Sequence, residues 1–199
     1  MPGDQSKTFS ASDIDLFIYG LTAQQATEKI KEIYSALKKQ SKRIAVVRTS
    51  RTLTFVPGYP NHHIQLILRL YGTPAEILLG FDLDCVGVGY DGKKVWALPR
   101  ARRALNLRYN IADPSRQTFR TTSYEYRLWK YSKRGFAVAV PGFKRERINP
   151  EIYLKSFKHV TGFAKLLLLE ERDNSLLKLQ DSKKYTYSLF FFNFSLYRT

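Results

Sequence analysis

Asp13 and Asp15 are the residues of this chain whose type and spacing could do chemistry. They stand two apart in Ser12-Asp13-Ile14-Asp15-Leu16-Phe17, where polar and apolar residues alternate as on a half-buried strand. That alternation puts Asp13, Asp15 and Phe17 on one face, with the two carboxylates about 6.6 Å apart at the backbone. Carboxylates so spaced can jointly hold divalent cations, including a pair roughly 3.5–4 Å apart that clamps a transferring phosphoryl group. Gly20 and a capped helix follow directly, so the strand ends where a phosphate-bearing ligand can approach. Pattern alone also suits two exposed acids on an edge strand.

The elements that must position this pair read as follows. Thr22-Ala23-Gln24-Gln25 is a capping box, and Ala26, Ile30, Ile33, Tyr34 and Leu37 follow at helical spacing, which predicts a helix to about Lys39. Residues 44–56 are β-rich, either one long strand or a hairpin bent near Ser50, and 57–61 form a turn. Residues 63–71 predict a strand with Ile64, Leu66, Leu68 and Leu70 toward the core and Gln65 and Arg69 on the other face. Thr73 caps a short helix in which Pro74 takes the first turn and Glu76 closes a second capping box. Residues 81–90 read as a strand that places Asp82 and Asp84 on one face, and Asp91-Gly92 turns it into residues 95–98. From Pro99 the pattern is helical: 99–109, 123–134 stopped by Gly135, and 149–172 with Pro150 near its start. Residues 136–140 are one more strand. The fold class is therefore α/β (α+β), with a mixed sheet and flanking helices over 12–98 and a basic, mainly helical part over 99–172. The tail 183–199 is rich in Tyr and Phe without a helical period and is expected to be poorly structured.

Composition narrows the setting. The 199 residues are 44% apolar and 14% aromatic, which suits a packed globule. No apolar run nears the roughly 20 residues of a membrane helix, and residues 1–11 lack the layout of a secretion signal. Cys85 is the single cysteine, which excludes a disulfide framework and a cysteine-based zinc site. The expected setting is intracellular, cytoplasmic or nuclear, without a membrane partner. The net charge is +16, and between residues 93 and 147 there are 15 Lys or Arg against Asp113, Glu125 and Glu146. Such a field suits a polyanion, with nucleic acid the expected partner. Arg100, Arg102, Arg103 and Arg108 share one predicted helix; Arg127, Lys130, Lys133 and Arg134 share another, interleaved with Tyr124, Tyr126, Trp129 and Tyr131. Aromatics between cations can stack on a base while the cations hold phosphates. The helical spacing of Tyr126 and Trp129 equally suits core positions, the reading favoured for Trp129.

The stretch from Ser12 to Phe17, followed by a helix, resembles the second strand of the polymerase-β-like nucleotidyltransferase superfamily. The run GFDLDCVGVGYDG at residues 80–92 is similar to a strand-and-hairpin motif of tRNA CCA-adding enzymes and some viral relatives. Within that superfamily, SDIDLFIYGL, VRTSRTLTF, IQLILRLYGTPAEILLGFDLD and YEYRLWKYSKRGFAV are similar to a little-characterised family often found with ankyrin repeats in fungi. The likeness covers roughly residues 12–172. It implies a nucleotidyltransferase-like mixed sheet that binds a nucleotide with Mg2+ and transfers a nucleotidyl group to a hydroxyl. It makes Asp13 and Asp15 the metal ligands and catalytic acids, with Asp82 or Asp84 helping to activate the acceptor. Arg100, Arg103, Lys130, Lys133 and Arg134 would grip the nucleotide or a nucleic acid, and an ankyrin-repeat region of a longer protein is an implied partner. The chain departs from the pattern twice. Gln65 holds the place of a third carboxylate on the neighbouring strand and is a poor Mg2+ ligand. Residues 1–11 carry no Gly-Gly or Gly-Ser phosphate loop, so either the chain lacks this element or it is an N-terminally incomplete version of a longer protein. The alternative is therefore a non-catalytic nucleic-acid- or protein-binding module of the same fold.

Overall fold

The computed structural model describes residues 12–41, 43–117 and 123–179, with side chains as far as Asp173. The tail 183–199 and residues 1–11 lie outside the described residues. The chain divides at Gly80/Phe81 into two compact units. That division comes ahead of the change in residue character at Pro99 on which the sequence boundary rests.

In the first unit β1 (Ile14–Tyr19) leads through Gly20 into α1 (Ala23–Gln40). The Thr22 hydroxyl accepts from Gln25 N at 3.3 Å, and the Gln25 amide oxygen accepts from Thr22 N at 2.9 Å. Two otherwise orphaned N–H groups are thus satisfied, and the expected capping box is present. A hairpin follows, β2 (Ala45–Arg48) and β3 (Thr52–Val56), then β4 (Ile64–Tyr71) and the short α2 (Pro74–Leu79). The sheet order is β1-β4-β3-β2. β1 and β4 are parallel while the other pairs are antiparallel, so the sheet is mixed. Its core joins Ile18, Phe55 and Leu66 to Ala26, Ile30, Ile33 and Leu37 of α1. Burial of each large side chain there contributes about 1.5–3 kcal/mol.

Two details differ from the pattern reading. Leu70 is 44% exposed although it pairs with the buried Ile18, beyond a register shift between Phe17 and Ile18. Glu76 closes no box with Thr73; its carboxylate instead accepts from Gly72 N at 2.7 Å.

The second unit has a 3-10 turn at Asp84–Val86, then β5 (Val88–Tyr90), β6 (Val95–Ala97), α3 (Pro99–Leu107) and β7 (Tyr109–Ile111). α4 (Ser123–Ser132), β8 (Ala137–Ala139) and α5 (Gly162–Leu179) complete it. β5 and β6 pair antiparallel about the Asp91-Gly92 turn. Asp91 accepts from the N–H groups of Lys93 and Lys94 and from Trp96 Nε1, and the backbone bonds hold its carboxyl down to about 2. β7 and β8 pair in parallel. Leu83, Leu128, Val138, Leu166 and Leu169 form the core. Cys85 belongs to it as a free thiol, pushed up to about 11 by burial.

Residues 81–90 are not one strand. Leu83, Asp84 and Cys85 are all buried, without the alternation of a strand, and their backbone is fixed by side chains rather than by a ladder. Cys85 N donates to Asn110 Oδ1 at 2.8 Å, and Asp84 reaches Ile111 N at 2.9 Å. Residues 149–172 are not one helix either. They form 3-10 turns at Pro150–Leu154 and Phe157–His159, and α5 starts only at Gly162, whose φ of 67° breaks a continuous helix. The part after Pro99 is nevertheless mainly helical, with the short parallel pair β7–β8 as its strands among the described residues. Among the described residues no helix is long and apolar enough to cross a membrane.

Candidate functional site

The first unit presents a sheet face opposite α1. Leu16, Ile18 and Leu66 point into the core under the helix, so strand alternation sends Asp13, Asp15 and Phe17 to the other side. The parallel register sets Asp15 beside Gln65 and Phe17 beside Ile67. β3 then adds Thr54 beside Gln65. A polar row of Asp15, Gln65 and Thr54 therefore crosses three strands. Asp13 and Asp15 are both exposed. His63 Nδ1 lies 3.7 Å from Asp13 Oδ1, and His62 Nδ1 is 2.8 Å from the Ser12 carbonyl oxygen. These contacts tie the entry to β1 to the entry to β4. Along the same face the Phe17 and Tyr71 rings meet edge to face at 6.0 Å. The Arg69 guanidinium sits 4.8 Å over Tyr71 and bonds Glu76 at 3.2 Å.

Chemically, this face offers two hard carboxylate donors, an amide oxygen, a cation and an aromatic pair. Among the described residues no three His, Cys, Asp or Glu side chains converge as a metal group. Asp13 and Asp15 are the residues of this face whose hard oxygen donors could hold a cation such as Mg2+.

The acids and cations of the second unit have other duties. Asp84 is buried, and its Oδ2 accepts from Arg103 Nη2 at 2.7 Å as well as from Ile111 N. Arg100 lies 3.7 Å from Asp84 Oδ1 and donates to the Phe81 carbonyl at 2.6 Å. Asp82 pairs with Arg127 at 2.8 Å. Asp84 thus opens the 3-10 turn, Asp82 lies two residues before it, and both hold arginines; they do not share one face of a strand as expected. Arg100 and Arg103 belong to that anchor. The signal available in sequence was Asn110, a polar residue between Tyr109 and Ile111 whose side chain completes the same knot.

Of the remaining candidates, Lys130 is exposed, Lys133 pairs with Asp173, and Arg134 stacks 5.0 Å over Tyr131. Trp129 packs half-buried against the core, as favoured, and donates to Asp173 at 2.7 Å. Six cations of the basic segment are bound to carboxylates: Arg100, Arg103, Arg116, Arg127, Lys133 and Arg145. Four of the acids, Asp82, Asp84, Glu170 and Asp173, come from outside the segment and reduce its field. Any binding of single-stranded nucleic acid should therefore show a log–log salt slope shallower than about −6, the value for roughly nine phosphates. Fluorescence anisotropy across a salt series measures it; a slope steeper than about −6 would show an undiminished polyanion track.

The first unit is an α+β domain with paired carboxylates on the face of a mixed sheet opposite α1. Residues 5–108 match the model of the Gabija anti-defense 2 family, and the chain belongs to that family. It is also 36% identical over 146 residues to an uncharacterised protein of Acanthamoeba polyphaga mimivirus, a match covering 65% of this chain and 32% of the relative. The chain thus spans about a third of that relative's length. No solved structure matches the chain.

Proposed function

We propose that this chain is a counter-defence protein that binds a Mg2+-complexed nucleotide through Asp13 and Asp15 and does not turn it over. The observation that carries this reading is the row Asp15–Gln65–Thr54. Asp13 and Asp15 would hold the ion, which would supply positive charge to offset that of a ligand's phosphates. Transfer calls for a further carboxylate to activate an acceptor, and beside Asp15 stands the neutral amide of Gln65. Asp82 and Asp84, the other acids considered, already hold Arg127, Arg100 and Arg103. Phe17 and Tyr71 offer a base an aromatic surface, and Arg69 beside them is placed to meet a phosphate. The likeness to nucleotidyltransferases supports the choice of nucleotide, and the family description supports interference with Gabija defence as the purpose. A free buried thiol is in keeping with an intracellular setting.

A nucleoside triphosphate labelled on its α-phosphate tests the reading. With Mg2+ it should be retained by the protein on a filter, while mixtures with RNA or protein acceptors yield no labelled product. Labelled product that disappears in Asp15→Asn would establish transfer instead.

A further inference from the structure

β2 is an edge strand, and among the described residues it pairs with β3 alone. Its free side is readable from the hydrogen-bond alternation of an antiparallel pair. Thr49 N donates to Thr52 O at 2.9 Å, so Thr49–Thr52 is a bonded pair. Stepping by two, Val47–Thr54 and Ala45–Val56 are bonded pairs as well. The N–H and C=O groups of Val46 and Arg48 therefore point away from the sheet. Val46 and Val47 remain 45% and 53% exposed, so the edge is apolar on both faces. At the start of β2 a cavity of about 530 Å³ is lined by Tyr34, Lys38, Arg43, Ile44, Ala45 and Val56, apolar surface with two cations among it. Charge around the edge has one sign. Between Glu32 and Glu76 the sequence has seven Lys or Arg and neither Asp nor Glu.

We propose that the β2 edge is a docking site for an extended acidic segment of a partner protein, which adds a fifth strand to the sheet. Main-chain bonds to Val46 and Arg48 would supply affinity, and acidic side chains facing Arg43 and Arg48 would supply selectivity. A nucleic acid would satisfy the cations but leave the outward amides and both valines unmatched. A second copy of the chain would set basic edge against basic edge, an arrangement that like charges disfavour. The proposal is independent of nucleotide binding, since it uses the opposite edge of the sheet from β1.

The probe is a fluorescent seven-residue peptide alternating Glu and Val, compared by anisotropy with its Lys/Val counterpart. The acidic peptide should bind saturably and the basic one should not. Val46→Pro removes one outward N–H yet keeps the β2–β3 ladder, so it should weaken binding by roughly tenfold or more with little change in melting temperature. Arg43→Glu/Arg48→Glu should weaken it comparably. A peptide N-methylated at alternate residues should fail to bind the parent, which keeps the test decisive if Val46→Pro does not fold. Equal binding by Val46→Pro and parent, equal or absent binding of the two peptides, or binding by the N-methylated peptide would overturn the proposal. So would oligodeoxythymidylate that displaces the peptide and binds Val46→Pro unchanged, or concentration-dependent dimerisation that Val46→Pro abolishes.

Discussion

Asp84→Ala is expected to destabilise the second unit by about 3 kcal/mol, enough to lower its melting temperature by roughly 10 °C. The carboxylate is nearly buried, and one substitution strips partners from three groups at once. Arg103 loses its 2.7 Å bond, Ile111 N–H loses its acceptor, and Arg100 loses a charge at 3.7 Å. Removing one side of a buried pair leaves the other uncompensated, which is why this cost exceeds that of a surface ion pair. Both arginines retain some solvent contact, which holds the figure at the lower end of the range for buried pairs. Asp84→Asn should fall between, because its amide oxygen can still accept from Ile111. Asp82→Asn, whose pair with Arg127 is more open, should cost under about 1 kcal/mol. Asp13→Asn should likewise leave stability unchanged, since the acid is exposed and His63 is 3.7 Å away. Denaturant unfolding of the four variants measures the order. An Asp84→Ala protein that unfolds with the parent would return Asp84 to the list of catalytic candidates.

The sequence made the first unit legible because its signals are local. Thr22 and Gln25 cap a helix whose apolar stripe is uninterrupted, and β4 alternates over most of its length. The carboxylate pair is visible for the same reason, since strand alternation alone puts Asp13 and Asp15 on one face. What failed was non-local. The stretch around Leu83 and Cys85 alternates like a strand, yet Asn110 and Ile111, more than twenty positions on, supply the bonds that make it a turn. The basic segment overstated its field because Glu170 and Asp173, which neutralise Arg145 and Lys133, lie outside it. Residues 149–172 carried enough helical apolar spacing to mask the left-handed conformation at Gly162. The place of the exposed His63 beside Asp13 follows only once β1 and β4 are known to run parallel.

The central claim is that Asp13 and Asp15 draw a Mg2+-complexed nucleotide to the sheet face opposite α1. Replacing either by Asn preserves shape and removes the charge that attracts the ion, without touching the core residues Leu16 and Ile18 behind them. Stability without ligand should stay level, because two like charges on one face do not help each other. The measurement is the melting temperature of parent and Asp15→Asn, with nucleoside triphosphate and Mg2+ at about 100 times the parent dissociation constant. Ligand at that excess stabilises the native state by about 2.7 kcal/mol, a shift of several degrees. The account predicts that shift in the parent with Mg2+, and its loss both with EDTA and in Asp15→Asn. An equal shift in Asp15→Asn, an equal shift without Mg2+, or no shift of the parent at millimolar nucleotide would contradict it.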